Sequence, residues 1–168
     1  MSALLIRPAS KTDIKSIVKI RLGALKEEEL VGFTVPDGNL CWSIEKLKHL
    51  WDKDNRLKDN SEVFVAEGQE KVIGFIVLNM GVSEDIIDNI IVAKEEQGKG
   101  VGRALVAYVE KLVKSRGFDV ITTDTTENSK GVPWKAYGFW KKMGYEDTGE
   151  RISSSYDFRN IPLIKRLK

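Results

Sequence analysis

The stretch Gln97-Gly98-Lys99-Gly100-Val101-Gly102-Arg103 constrains the fold most tightly, because its alternate glycines stand between an apolar run and a periodic helix. Upstream, Asp85 to Val92 carries Ile86, Ile87, Ile90, Ile91 and Val92, which leaves neither strand face wet and predicts a buried central strand. Downstream, Val101, Ala104, Leu105, Tyr108, Val109, Leu112 and Val113 recur at helical spacing, while Arg103, Glu110, Lys111 and Lys114 fall elsewhere. That is an amphipathic helix, stopped at Gly117. Glycines strip side chains from the start of a helix, where backbone N–H groups have no intrahelical acceptor, so the natural guest is an anion. Lys99 and Arg103 favour a phosphate or pyrophosphate over a carboxylate. The competing reading is a tight strand-to-helix turn whose glycines serve close packing. Two common phosphate loops are excluded: G-x-x-x-x-G-K-[ST] does not occur, and the G-x-G here lacks a third glycine at the dinucleotide-binding spacing.

The surrounding chain predicts a mixed α/β fold. Leu4, Leu5 and Ile6 before Pro8 form a short first strand, and Ser10 with Asp13 gives an S-x-x-D helix start. Ile14, Ile17, Val18, Arg21, Leu22 and Leu25 hold one helical face, which ends in the acidic cluster Glu27-Glu28-Glu29. Pro36, Asp37 and Gly38 mark a loop, and Ile44, Leu47, Leu50 and Trp51 a second helix. Val63 to Ala66 and Val72 to Leu78 flank the turn Glu67-Gly68-Gln69-Glu70 as an antiparallel hairpin. After the long helix, Asp119 to Thr123 supplies a strand parallel to the central one. Asn128 to Val132 is then a loop, and Pro133 opens a helix through Ala136, Phe139, Trp140 and Met143 that stops at Gly144. Strands around Thr148 to Tyr156 and Ile161 to Leu167 close the order βααβββαβαββ, a mixed sheet with helices on both faces.

At 168 residues the chain fits one domain, 1–168, that needs no metal or disulfide staple. Its 27 basic and 25 acidic residues give +2 with no basic block, which speaks against a nucleic-acid partner. The single cysteine, Cys41, suits a reducing compartment, and no apolar run reaches membrane-spanning length, so a cytoplasmic protein with no membrane partner is expected. The single histidine, His49, and the absence of paired ligand spacing predict no metal site. Cys41 has no histidine at motif spacing and reads as a small buried residue.

With the order of elements in place, the chain resembles the GCN5-related N-acetyltransferases, the GNAT family. Their acetyl-CoA motif Q/R-x-x-G-x-G/A is matched by Gln97, Gly100 and Gly102, with Val92 five residues before Gln97. The opening Ile6-Arg7-Pro8-Ala9, the helix end Lys142-Met143-Gly144-Tyr145 and the closing Ile164-Lys165-Arg166-Leu167 also look like the family's landmarks. The resemblance spans nearly the whole chain and implies the acyl-CoA N-acyltransferase (GNAT) fold. It implies that backbone N–H groups of Gly98, Lys99, Gly100, Val101, Gly102 and Arg103, after Gln97, hold the CoA pyrophosphate. The backbone at Ile90, Ile91 and Val92 would pair with pantetheine where the fourth and fifth strands splay apart. An amine would then attack the thioester directly in a ternary complex.

Two family positions differ here. The usual tyrosine that protonates the leaving thiolate falls on Trp140, whose indole N–H can donate a hydrogen bond but is no useful acid, and the usual helix-starting asparagine falls on Pro133. Tyr137, one turn earlier, is the substitute acid; its other reading is a tyrosine packed against CoA or core. Asn128 is the substitute asparagine, or a residue that merely shapes a turn. Asp88 is the carboxylate placed to deprotonate the amine if burial raises its pKa; the other reading is an acid that binds a cationic amine or a loop. Phe33 and Trp42 are placed to line an acceptor pocket, while Trp51 reads as helical core.

The expectation is an acetyl-CoA-dependent N-acetyltransferase acting on a small-molecule amine such as a polyamine or amino sugar. The alternatives are a protein or peptide amine acceptor, or an acyl-CoA-binding sensor without turnover. A homodimer is compatible with the sequence.

Overall fold

Val63, Val65, Phe75 and Val77 alternate with Phe64, Ala66, Ile76 and Leu78, and all eight are buried, so the hairpin they form must be covered on both faces. The computed structural model describes residues 4–30, 60–154 and 157–168, with side chains of 25–30 set aside. The second helix expected around 44–51, together with Phe33, Cys41, Trp42, His49 and Trp51, lies outside the described residues, as do the side chains of Glu27, Glu28 and Glu29.

The strands are β1 (Leu5–Pro8), β2 (Ser61–Gly68), β3 (Lys71–Asn79), β4 (Asp85–Val92), β5 (Val120–Asn128), β6 (Glu146–Asp147), β7 (Ile152–Ser153) and β8 (Phe158–Arg166). The helices are α1 (Ile14–Leu30), α2 (Val101–Ser115) and α3 (Ala136–Lys142). One sheet runs β1-β2-β3-β4-β5-β8-β6, with β7 also on β8, and β4–β5 is its parallel pair. α2 is the intervening crossover, as a parallel connection requires. The β2–β3 turn is two residues long: Gln69 and Glu70 take φ of 52° and 59°, the twist-matching hairpin geometry without its usual glycine.

α1 covers one face through Ile14, Ile17 and Val18 against Val63, Val65, Phe75, Val77 and Ile91. α2 and α3 cover the other, where Leu105, Val106, Val109 and Val113 meet Phe64, Ile76, Leu78, Ile87 and Ile121. Each such side chain contributes about 1.5–3 kcal/mol by leaving water. Leu22, expected on the buried face of α1, is 42% exposed; Ile20 and Ala24 pack there instead. The capping signal is real: Ser10 N–H donates to Asp13 Oδ2 at 2.8 Å. Asp13 also takes Arg7 at 2.8 and 3.0 Å, and Arg7 reaches Glu67 at 2.7 Å, tying β1 to the helix start and to β2.

The C-terminal part differs from the expected pattern. Pro133 does not open a helix; it bridges Glu127 in extended form, and Trp134 N–H donates to Thr126 O at 2.8 Å. α3 therefore begins only at Ala136. Of the strand expected over Thr148 to Tyr156 only the short β7 forms among the described residues, β6 lies just before it, and β5 runs to Asn128 instead of stopping at Thr123. No helix among the described residues is long and apolar enough to cross a membrane.

Candidate active site in the β4–β5 fork

β4 and β5 are paired only at Asp85↔Ile121, Ile86↔Thr122 and Ile87↔Thr123. Beyond Ile87, β4 stays with β3 as far as Gly74↔Val92, whereas β5 follows β8 as far as Asn128↔Phe158. The cause is a bulge: Leu78 faces Ile87 and Val77 faces Asn89, so Asp88 has no partner on β3 and β4 bends there. At the apex Thr123 Oγ1 donates to Ile87 O at 2.9 Å. The fork beyond it encloses a cavity of about 270 Å³, walled by Asp88 to Ile91, Thr123 to Thr126, Arg21 of α1 and Trp140 of α3.

In its open half, β4 is bonded to a strand on one side only, so backbone groups that alternate toward β5 form a short unpaired edge. Such an edge accepts an extended chain bearing amides. The side chains of Ile90 and Val92 pack toward α2 and that of Ile91 toward α1, which leaves main chain, not side chain, to meet a ligand.

The glycine turn follows at once. Gly98 and Gly100 have φ of 79° and 88°, and a Cβ at either would meet nothing within 4 Å, so the backbone lies open to a ligand. Ala104 N–H makes the first helical bond, to Gly100 O at 3.0 Å, and the N–H groups of Val101, Gly102 and Arg103 precede it. Arg103 is exposed, and Lys99 reaches Glu96 at 3.2 Å, leaving net positive charge beside the helix end. Gly102 serves a different purpose. A Cβ there would stand 3.3 Å from the Phe139 ring, so its glycine allows α2 and α3 to approach. Gln97 acts on the turn's geometry: its Nε2 donates to Val92 O at 3.0 Å and its Oε1 accepts from Lys135 at 3.4 Å.

The predicted catalytic residues separate. Asp88 lines the cavity and is exposed at the bulge. Trp140 forms part of the inner wall, 2% exposed and edge-on to Tyr145 at 4.8 Å. Tyr137 turns away from the fork: its hydroxyl donates to Asp147 Oδ2 at 3.1 Å. Burial and that carboxylate push its phenol pKa up. Asn128 shapes a turn, its Oδ1 accepting from the N–H groups of Lys130 and Val132 at 3.0 Å.

Two residues of the fork were not anticipated, Thr123 and Asp124. Asp124 follows the apex on β5, and the surrounding protein, then the nearby Asp88, raises its carboxyl pKa while the group stays open to solvent at the cavity mouth. Their signal is Thr122-Thr123-Asp124-Thr125-Thr126, a polar run in what should be an apolar central strand. Larger depressions of about 1130 and 1140 Å³ lie between α1 and the β2–β3 turn and between α2 and the end of β8. The first of them reaches Val92, Gln97, Lys99 and Val101, so it opens onto the glycine turn. Among the described residues no group of three or more His, Cys, Asp or Glu side chains is arranged to hold a metal ion.

Residues 59–147, which carry the strand fork and the glycine-opened helix start, match the acetyltransferase (GNAT) domain family. The chain belongs to the GNAT acetyltransferase family. Acetyl-CoA is accordingly its co-substrate. The whole GNAT fold is shared with PaiA N-acetyltransferase from Thermoplasma acidophilum in complex with coenzyme A, at TM-score 0.73 and 19% identity over 98% of this chain and 99% of that one. An aminoglycoside 6'-N-acetyltransferase complexed with coenzyme A gives 0.71 and 17% over 98% and 97%. Ard1 from Thermoplasma volcanium gives 0.70 and 20% over 99% of both chains. No curated protein sequence matches. Identities this low carry the fold and not the acceptor.

Proposed function

We propose that residues 1–168 act as one N-acetyltransferase domain that moves the acetyl group of acetyl-CoA to an amine of a small molecule, a polyamine, an amino sugar or similar. Acetyl-CoA supplies an activated acyl carbonyl. The chain's own part is to hold it and to prepare the amine. The open N–H groups from Gly98 to Arg103 suit a pyrophosphate, and the free edge at Ile90, Ile91 and Val92 suits the amide-bearing arm. Holding both reactants in one cleft replaces a bimolecular encounter by an oriented one.

The observation that carries the acceptor class is the acidic mouth of the fork, where Asp88 and Asp124 line one cavity. Two carboxylates there attract an ammonium ion and disfavour an anionic acceptor. A compact cavity of about 270 Å³ suits a small amine better than a folded protein surface. The test is thiol release from acetyl-CoA with spermidine, glucosamine, an aminoglycoside and a peptide with a free N-terminus. Release with the small amines supports the reading. Release with the peptide alone points to a protein acceptor, and tight CoA binding without release from any of them points to a sensor.

A further inference from the structure

We propose that Asp124 is the group that takes the proton from the acceptor ammonium, with Asp88 holding the ammonium beside it. This rests on the acetyltransferase reading and names the residue that reading left open. Asp124 is the first β5 residue beyond the Thr123 clasp, so it stands where the strands have just parted. Opposite it on β8 is Pro162, whose carbonyl accepts from Thr148 N–H at 3.2 Å on the β6 side. Asp124 and Pro162 are therefore a pair without mutual hydrogen bonds, and the N–H and C=O of Asp124 point away from β8, to the fork.

The groups facing the Asp124 carboxyl come from several elements. Asp88 comes from β4, Arg21 of α1 lines the same cavity, and Asn160 of β8 brings Nδ2 to 3.5 Å. Among the described residues no cation forms an ion pair with it. Contrast Asp85 on β4, which is 1% exposed and bound by Arg116 at 3.2 Å. A carboxylate beside a second carboxylate and paired with no cation holds a proton more readily than one in water, which suits a base.

The step balances without a further reagent. The ammonium gives one proton to Asp124, and its nitrogen bonds to the thioester carbonyl carbon as the carbon–sulfur bond breaks. The thiolate leaves with the second proton of that nitrogen, and Asp124 returns its own to water. No phenol or thiol among the described residues lines the cavity, and the step needs none.

The test compares Asp124→Asn and Asp124→Glu with wild type, using spermidine and acetyl-CoA. Asp124→Asn lowers kcat/KM about 100-fold at neutral pH, leaves the CoA affinity by calorimetry within about twofold, and recovers as pH rises and free amine accumulates. Asp124→Glu regains part of the loss. Wild-type kcat/KM falls as pH drops through the raised pKa of Asp124 because the charged form is the base; this limb is missing in Asp124→Asn. An unchanged rate and profile in Asp124→Asn overturns the assignment. Independently of turnover, the Asp124 carboxyl carbon resonance of the CoA-loaded wild type is followed as spermidine is added. It shifts if the proposal holds, and a resonance that does not move overturns it. If the resonance moves but no thiol is released, the acetyltransferase reading fails and the ammonium site stands.

Discussion

The closed and open ends of the β4–β5 fork use aspartate differently. In the closed half, Asp85 is buried, accepts from Gly81 N–H at 3.3 Å and is bound by Arg116, which also pairs with Glu62. In the open half, Asp88 sits exposed on a bulge and faces Asp124 across a cavity. Three rungs of parallel pairing and one threonine clasp separate them. The closed half shows what an aspartate does when it stabilises the sheet: it acquires a guanidinium. Across the fork, Asp124 on β5 is paired with no guanidinium among the described residues, and the proposed ammonium site rests on that difference.

This contrast can be broken from either side. The largest effect is expected at the open end, from Gly100→Val. A β-branched residue at φ 88° is strained, and its side chain enters the space an anion needs. CoA affinity by calorimetry falls at least about 100-fold, or about 2.8 kcal/mol, while an unchanged affinity removes the glycine turn from the site. Next is the closed end. Asp85→Asn leaves Arg116 with Glu62 alone, and because that guanidinium is partly exposed the loss is about 2–3 kcal/mol of stability in urea, below the range for a fully buried pair. CoA affinity of the folded variant stays the same. Thr123→Val removes the clasp but keeps the shape, and costs about 1–2 kcal/mol because Ile87 O loses a buried donor. A larger loss of kcat than of stability would show that the clasp also sets the fork's opening. The smallest effect is Tyr137→Phe. Losing one hydrogen bond to Asp147, which Arg151 also holds at 2.9 Å, costs about 0.5–1 kcal/mol and leaves thiol release within about twofold. A turnover loss of two decades would restore Tyr137 as the acid.

The fold was legible where pattern and period agreed. The hairpin, the buried β4 and the amphipathic α2 all announce themselves, because strands covered on both faces and a helix covered on one leave different spacings. The glycine turn was legible as a helix start with open backbone at Gly98 and Gly100, although Gly102 proved to be glycine for Phe139 and Gln97 to be a brace for Val92. What stayed hidden was tertiary. The bulge at Asp88 arises from register against β3, and nothing in Ile87-Asp88-Asn89 specifies it locally. Pro133 was expected in a helix because its φ suits one, yet its bridge to Glu127 decides the matter. Tyr137 sits at helical spacing from Trp140 but points to Asp147, since spacing fixes neighbours along a helix and not what lies outside it. Asp124 was missed because the polar run around it made β5 look finished at Thr123.

Hydrogen exchange of the backbone amides, with and without saturating CoA, tests most directly the claim that the open half of the fork is the co-substrate site. The account predicts slowed exchange concentrated at Ile90 to Val92 and Gly98 to Arg103, with the closed pairs Asp85 to Ile87 and Ile121 to Thr123 unchanged. Protection at the groove between α2 and the end of β8 instead, with those amides unaltered, would contradict it.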